Sequence, residues 1–243
     1  MRSKPQRLFV NARLRRGAEI ELAPTQAHYV IDVLRCKAGD HILLFNGQDG
    51  EWRGELIART KRHATLLLSE QTRPQDEAPD LHYLFAPLKR ARLDYMAQKA
   101  TEMGASRLRP VVTRRTMPER VNLERLLANA TEAAEQCGLL HVPEVSPPEA
   151  LDRVLESWDP ARLLIFADET APLASPLAAL KGEAPRPLAL LIGPEGGFDA
   201  EERATLIERP FVLPIALGPR VMRADTAAVA ALALINAALG DWR

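Results

Sequence analysis

Six residues, Gly193-Pro194-Glu195-Gly196-Gly197-Phe198, stand between the apolar run "LALLI" and a segment that opens a helix at Asp199. An ordinary turn needs one or two such residues, so this density, with a glutamate inside it, describes a backbone shaped to hold something. Glycines there let a ligand approach the chain closely, and the amides of Gly196, Gly197 and Phe198 are candidate donors. The loop lacks the Gly-Lys-Ser/Thr ending of a P-loop and is not GxGxxG. Adenosine held by backbone groups therefore fits better than a triphosphate. The plain alternative is a glycine-rich strand-to-helix turn with no ligand. A second stretch, "LPIALGPRVMRADTAAVAAL", repeats the logic. An apolar strand runs into Gly218-Pro219, and then Arg220, Arg223 and Asp225 crowd the start of a very apolar helix. A guanidinium beside a buried face needs a partner or a task. Pairing of Arg223 with Asp225 is the structural alternative, and Thr226 is the expected N-cap.

The elements that would position these loops are strands alternating with helices. "LHYLFAPL", "RLRPVVT", "ARLLIFAD", "PLALLIG" and "PFVLPIAL" read as buried strands. Between them, "RLDYMAQKATEMG" reads as a helix closed by Gly104, and "NLERLLANATEAAEQCG" as one capped by Asn122 and closed by Gly138. Asp199 is the expected N-cap of "DAEERATLIE". Near-continuous apolar strands with helical crossovers predict a mostly parallel α/β sheet, whose ligands bind beyond the carboxyl ends of the strands. Upstream the pattern differs. "HILLFNGQDG" and "EWRGELIA" predict a hairpin turned at Asn-Gly, beside the short runs "RLFV" and "HATLLLSE". One helix, "TQAHYVIDVLR", has Thr25 as its expected N-cap and Tyr29, Val33 and Leu34 on one face. The first 70 or so residues thus read as a small β-barrel. "QTRPQDEAPD" (71–80) reads as a linker, which divides the chain into 1–72 and 73–243.

The 243 residues, 47% apolar and 26% charged, suit a soluble globular protein. No apolar run is long enough for a bilayer, and "MRSKPQRLFV" lacks the apolar core of a signal peptide. Cys36 and Cys137 are far apart and form no CxxC, so neither a disulfide framework nor a zinc site is expected, and a cytoplasmic location fits. The five histidines show no metal spacing. Net charge is zero, yet residues 1–125 hold 23 Lys and Arg against 15 Asp and Glu, a surplus of +8 that the remainder cancels. A basic front half fits a polyanionic partner, with a chance distribution of solvated charge as the alternative.

"LLIGPEGGF" followed by "LGPRVMRADTAA" resembles the two cofactor loops of the SPOUT superfamily of knotted methyltransferases. More narrowly, the chain is similar to the bacterial family that methylates N3 of one uridine in 16S ribosomal RNA. "KRARLDYMAQKATEMGA" matches that family's lysine-containing helix, with Met103 in place of its leucine. "EAAEQCGLLHVPEV" matches its Glu-Gln-Cys signature, and "HYVIDVLRCKAGDHILLFNG" its N-terminal segment. One departure is that Asp225 stands where the family usually has glutamate. The resemblance implies a PUA-like RNA-binding β-barrel followed by an α/β domain tied in a trefoil knot. It also implies a homodimer whose two subunits complete each site, with no membrane partner. The implied cofactor is S-adenosylmethionine, converted to S-adenosylhomocysteine, with no metal. On this reading the cofactor residues are Leu191, Ile192, Gly193, Pro194, Glu195, Gly196, Gly197, Leu213, Ile215, Leu217, Gly218, Val221, Met222, Arg223 and Thr226.

Methylating uridine N3 requires an unpaired or extruded base, loss of the N3 proton, and stabilisation of the charge that spreads to O2 and O4. Arg220 or Arg223 is the expected stabiliser. Glu195 or Asp225 is the expected proton acceptor or arginine-orienting group, and for Glu195 a purely loop-stabilising role is the alternative. The expected RNA contacts in the front part are Arg7, Arg13, Arg15, Arg16, Arg35 and Lys37. Beyond the linker they are Lys89, Arg90, Arg92, Arg114 and Arg115, inside 16S ribosomal RNA or the 30S subunit. A related enzyme acting on another RNA atom, or a non-catalytic assembly factor, shares much of this pattern.

Overall fold

The computed structural model describes residues 6–60, 63–117 and 120–242, which divide into two compact units. The first comprises the chain up to Ala78 together with Ala134–Val142, and the second comprises Pro79–Ala133 and Pro143 onward.

In the first unit, β1 (Arg7–Phe9), β2 (Glu19–Glu21), β3 (His41–Phe45), β4 (Glu51–Arg59) and β5 (Ala64–Arg73) form one sheet in the order β1-β3-β4-β5-β2. Only β1 and β3 pair parallel; the other neighbours are antiparallel. The β3–β4 hairpin turns where Asn46 stands. Its side-chain oxygen accepts from the amides of Gln48 (3.0 Å) and Asp49 (2.8 Å), as an Asx turn requires. Alternating strand residues such as Ile42, Leu44, Leu56, Leu66 and Leu68 fill the core. The strand β5 takes in the first three residues of the expected linker. The expected helix also changes form. It runs as α1 (Pro24–His28) and then widens into a π-helical turn over Tyr29–Val33. Ala23, not Thr25, is its N-cap, because the fixed φ of Pro24 starts the helix two residues earlier. The widened turn changes the spacing, so Ala27 and Val30 are buried while Tyr29 and Val33 lie exposed.

Arg7 explains how residues 134–142 belong to this unit. Its guanidinium pairs with Glu51 (2.6 Å) and donates to the carbonyls of Ala134 (2.9 Å), Glu135 (3.1 Å) and Leu139 (2.8 Å). Ala134 and Glu135 lie in the last turn of the helix α3 (Leu123–Cys137), and Leu139 follows just beyond its end. Phe45, Ala134 and Leu140 close a small apolar cluster beside it. Arg7 was expected to face RNA. Its side chain, 11% exposed, is instead a structural tie, which removes it from that set.

The second unit is an all-parallel α/β sheet in the order β12-β10-β11-β6-β7-β8, with β9 on β7. Its strands are β6 (Leu81–Phe85), β7 (Arg107–Val112), β8 (Glu144–Val145), β9 (Glu149–Ala150), β10 (Leu163–Ala167), β11 (Leu188–Ile192) and β12 (Val212–Ile215). The five residues of β11 are all buried, as expected for a strand covered on both faces. Covering helices are α2 (Arg90–Glu102), α3, α4 (Leu151–Glu156), α5 (Pro176–Lys181), α6 (Ala200–Ile207) and α7 (Ala224–Ala238). Asn122 accepts from the amide of Arg125 (3.0 Å), and Gly104 and Gly138 take positive φ past their helices, all as the sequence predicts. Helix α7 packs on α2, α5 and β11. Its buried Asn236 donates to the carbonyl of Met103 at the end of α2 (2.8 Å). The neighbouring order of β12, β10 and β11 matters most for function, because it brings the loops leaving three strand ends together.

Candidate active site

The loop after β11 folds back on itself. A Cβ on Gly193 would lie 2.4 Å from Phe198 Cε2, so only glycine lets the ring close over this position. That ring stands edge-on to Phe166 of β10, with centroids 4.9 Å apart. Gly197 has φ +67°, and its amide donates to the carbonyl of Pro194 (2.9 Å). The turn thereby uses one of the three expected ligand donors and leaves Gly196 and Phe198. Asp199 then caps α6 in a full capping box with Glu202.

Residues 113–116 brace this loop from the side. Glu202, 5% exposed, accepts from the amides of Asp199 (3.2 Å) and Arg114 (2.7 Å). Arg114 pairs with Asp199 (2.9 Å) and Glu201, and Arg115 donates to the carbonyl of Gly196 (2.9 Å). Both arginines, read as RNA-facing, thus hold the loop. Arg92 of α2 pairs with Glu195 across 3.5 Å, with both side chains partly exposed.

A third loop, after β10, completes the site. Asp168 is buried and bonds Arg203 of α6 through Nε (2.9 Å) and Nη2 (2.8 Å). It also accepts from Thr170 N (3.0 Å) and Oγ1 (2.8 Å). Burial pushes the Asp168 carboxyl up, but Arg203 and Thr170 outweigh it and hold the group below its usual range. It is a fixed anion that orients an arginine.

The three loops enclose a cleft of about 420 Å³. Of the sequence-predicted residues, Ile192, Gly193, Pro194, Glu195, Gly197, Ile215, Leu217, Gly218, Arg220, Val221, Met222 and Arg223 line it. Leu191 is sealed in the sheet core, Leu213 stays within β12, and Gly196 turns toward Arg115. Asp225 is not among the lining residues, and its carboxylate accepts from the amide of Thr226 (2.9 Å). Thr226 is not the N-cap of α7. Arg223 holds that position without a side-chain cap bond, because the helix already begins at Ala224. Arg220 and Arg223 are exposed at the cleft. Sequence reasoning missed Asp168, Glu169, Thr170, Leu173 and Arg203, which also line it. The only signal was an aspartate ending the apolar run "LLIFAD". Arg13, Arg15, Arg16, Arg35, Lys37 and Lys89 are exposed, Arg13 with Asp49 as a partner at 3.4 Å.

The RNA methyltransferase domain family matches residues 76–236, and the RNA methyltransferase PUA domain family matches residues 22–69. Ribosomal RNA small subunit methyltransferase E of Synechocystis is 35% identical over 228 residues, covering 91% of this chain and 74% of its own. The protein of the same name from Rickettsia conorii is 30% identical over 235 residues, 96% of each chain. A methyltransferase from Legionella pneumophila, solved with bound cofactor SAM, has a TM-score of 0.85 at 29% identity, covering 97% of this chain and 98% of its own.

Proposed function

The chain belongs to the RNA methyltransferase family, and from that premise we propose that it methylates N3 of a uridine in 16S ribosomal RNA, using S-adenosylmethionine. The observation that carries this reading is the convergence of three strand-end loops on one cleft with two exposed arginines beside it.

The residues present fit an adenosine-bearing methyl donor. Gly193 keeps the wall free of a side chain that Phe198 would meet, and Ile192, Ile215 and Leu217 supply apolar surface for a base. The amide of Phe198, which lines the cleft, is the donor on offer. When bound, S-adenosylmethionine supplies an electrophilic methyl group on a sulfonium sulfur. The chain's own work is to present the uridine and manage its proton. Arg220 and Arg223 place guanidinium groups where charge on O2 or O4 of the uridine anion is stabilised. Glu195, which lines the cleft as Asp168 and Glu169 do, is the proposed acceptor for the N3 proton, and Arg92 orients it. Asp225 acts from outside the lining of the cleft, at the first turn of α7.

In this reading the segment from Leu217 into α7 is the threaded end of a trefoil knot. Val229, Ala230, Ala233, Leu234 and Ala237 lie along one incompletely buried face of α7, and that face pairs two copies of the chain. The unit carrying the PUA match, with Arg13, Arg15, Arg16, Arg35 and Lys37, binds the RNA backbone. The test is Arg223→Ala assayed on 30S subunits lacking the modification. Turnover with S-adenosylmethionine saturating is expected to fall about 100- to 1000-fold, the usual cost of one charge-stabilising donor. Undiminished turnover ends the assignment of Arg223.

A further inference from the structure

A second and larger cleft, about 780 Å³, opens between the start of α2 and the segment leading into α3. Pro87 and Leu88 line it beyond the end of β6, together with Arg90, Asp94, Arg120 and Arg125. Arg125 and Asp94 neutralise each other through two bonds (2.7 and 2.5 Å), and Asn129 donates a third to Asp94 (2.9 Å). That pair is a fixed wall. Arg90 and Arg120 differ from the arginines around them. Arg92, Arg114, Arg115 and Arg125 are each bonded to a carboxylate or a carbonyl, whereas Arg90 and Arg120 have no ion pair among the described residues. Lys89 stands exposed beside them, and among the described residues Glu124 is the one carboxylate of the lining outside the Arg125 pair. Among the described residues no aromatic side chain lines this cleft, which gives bases no surface to stack on. Two guanidinium groups without an ion pair among the described residues, set in a concave surface with Leu93, Val121, Leu123 and Leu126 as its apolar floor, suit a phosphodiester whose ribose covers the apolar part.

Its position gives that chemistry a purpose. The same two segments border both clefts. The first turn of α2 sends Arg90 to the second cleft and Arg92 to Glu195 of the first. Residues 113–117 grip the glycine loop through Arg115, and residues 120–122 line the second cleft. The ends of β6 and β11 are joined by a bond from the Ala86 amide to the Ile192 carbonyl (3.0 Å). A strand lying in the second cleft is therefore led to the mouth of the first. We infer that the second cleft is a subsite for the ribose-phosphate backbone of the substrate RNA beside the target nucleotide, with Arg90 and Arg120 as its phosphate ligands. This rests on the methyltransferase reading above and adds where the substrate strand runs.

The test is the double variant Arg90→Gln/Arg120→Gln, with Arg90→Lys/Arg120→Lys beside it. Binding to protein-free 16S ribosomal RNA is measured across a series of KCl concentrations, and KM for 30S subunits is measured with S-adenosylmethionine saturating. Loss of two phosphate contacts is expected to flatten the slope of log affinity against log salt by about 1.4–1.8. KM is expected to rise roughly tenfold or more, with S-adenosylmethionine affinity and melting temperature held. The lysine pair should keep the wild-type salt slope, because it keeps the charge. An unchanged slope and KM in the glutamine pair overturns the subsite. So does a raised KM for 30S subunits with unaltered binding to the free RNA, which would instead place an acidic segment of a ribosomal protein in the cleft. Tight binding of uridine monophosphate that the glutamine pair abolishes, with the RNA slope unmoved, overturns it in favour of a free nucleotide. If the wild type binds RNA but methylates nothing, the methyltransferase reading fails while the salt slopes still decide the subsite.

Discussion

Gly193→Ala would place a methyl carbon 2.4 Å from Phe198 Cε2 and 2.9 Å from its Cδ2. Carbon atoms in contact prefer about 3.5–4.0 Å, so the ring has to withdraw by more than an ångström. It is not free to do so at no cost, since it stands edge-on against Phe166 at 4.9 Å in the core of the sheet. Overpacking of this kind costs roughly 1–3 kcal/mol. The loop from Gly193 to Phe198 is a wall of the cleft, so relief of the strain displaces that wall. The expected result is weaker binding of S-adenosylmethionine by about 5- to 150-fold, taking about 1.4 kcal/mol per tenfold. Gly196→Ala is the matched control. Its Cβ would meet only Arg115, at 3.8 and 3.9 Å, and its affinity should stay within about twofold of wild type. Isothermal titration calorimetry on both variants reads the difference directly. A second substitution, Phe198→Leu, should recover part of the loss in Gly193→Ala, because the two residues share one contact. Equal affinity in Gly193→Ala and wild type, or equal losses in both alanine variants, would refute the reasoning.

Other expectations follow from the same structure. Arg7→Ala strips the charged partner from Glu51, whose side chain is 5% exposed and keeps only the bond from the Thr72 hydroxyl (2.8 Å) among those described, and should cost about 3–5 kcal/mol in urea unfolding; a loss below about 1 kcal/mol contradicts the structural role. His82 is held to a pKa of about 4, first by burial and then by Arg162 and Arg107. Its pKa is depressed on folding, so stability is complete above the unfolded value near 6.5 and declines as pH falls toward 4. The loss should be roughly 3 kcal/mol and absent in His82→Phe, as followed by melts across that range. Leu234→Asp, on the incompletely buried face of α7, should convert a dimer to monomers in sedimentation equilibrium; a wild type that is already monomeric would contradict the pairing.

The sheet of the second unit was legible because strands buried on both faces must be apolar throughout, as "LALLI" and "LLIFA" are. Helix ends were legible where one residue decides them, as at Asn122, Gly104 and Asp199. They were misread where two neighbours compete: Pro24 starts α1 ahead of Thr25, and α7 begins before Thr226. The two glycine-rich loops announced the cleft through composition. Its third loop did not, since Asp168 and Arg203 are 35 positions apart and meet only after folding. Arg7 shows the same limit from the other side. A basic residue in a basic segment reads as solvent-facing, and nothing local reveals that Glu51 and the carbonyls of residues 134–139 await it.

The central claim is methyl transfer to uridine N3 in small-subunit RNA. It is tested most directly by incubating the protein with methyl-labelled S-adenosylmethionine and 30S subunits lacking the modification, then digesting the RNA and identifying the labelled nucleoside. Label is expected in 3-methyluridine. Label in any other nucleoside, or none from a protein that still binds S-adenosylmethionine, would contradict it.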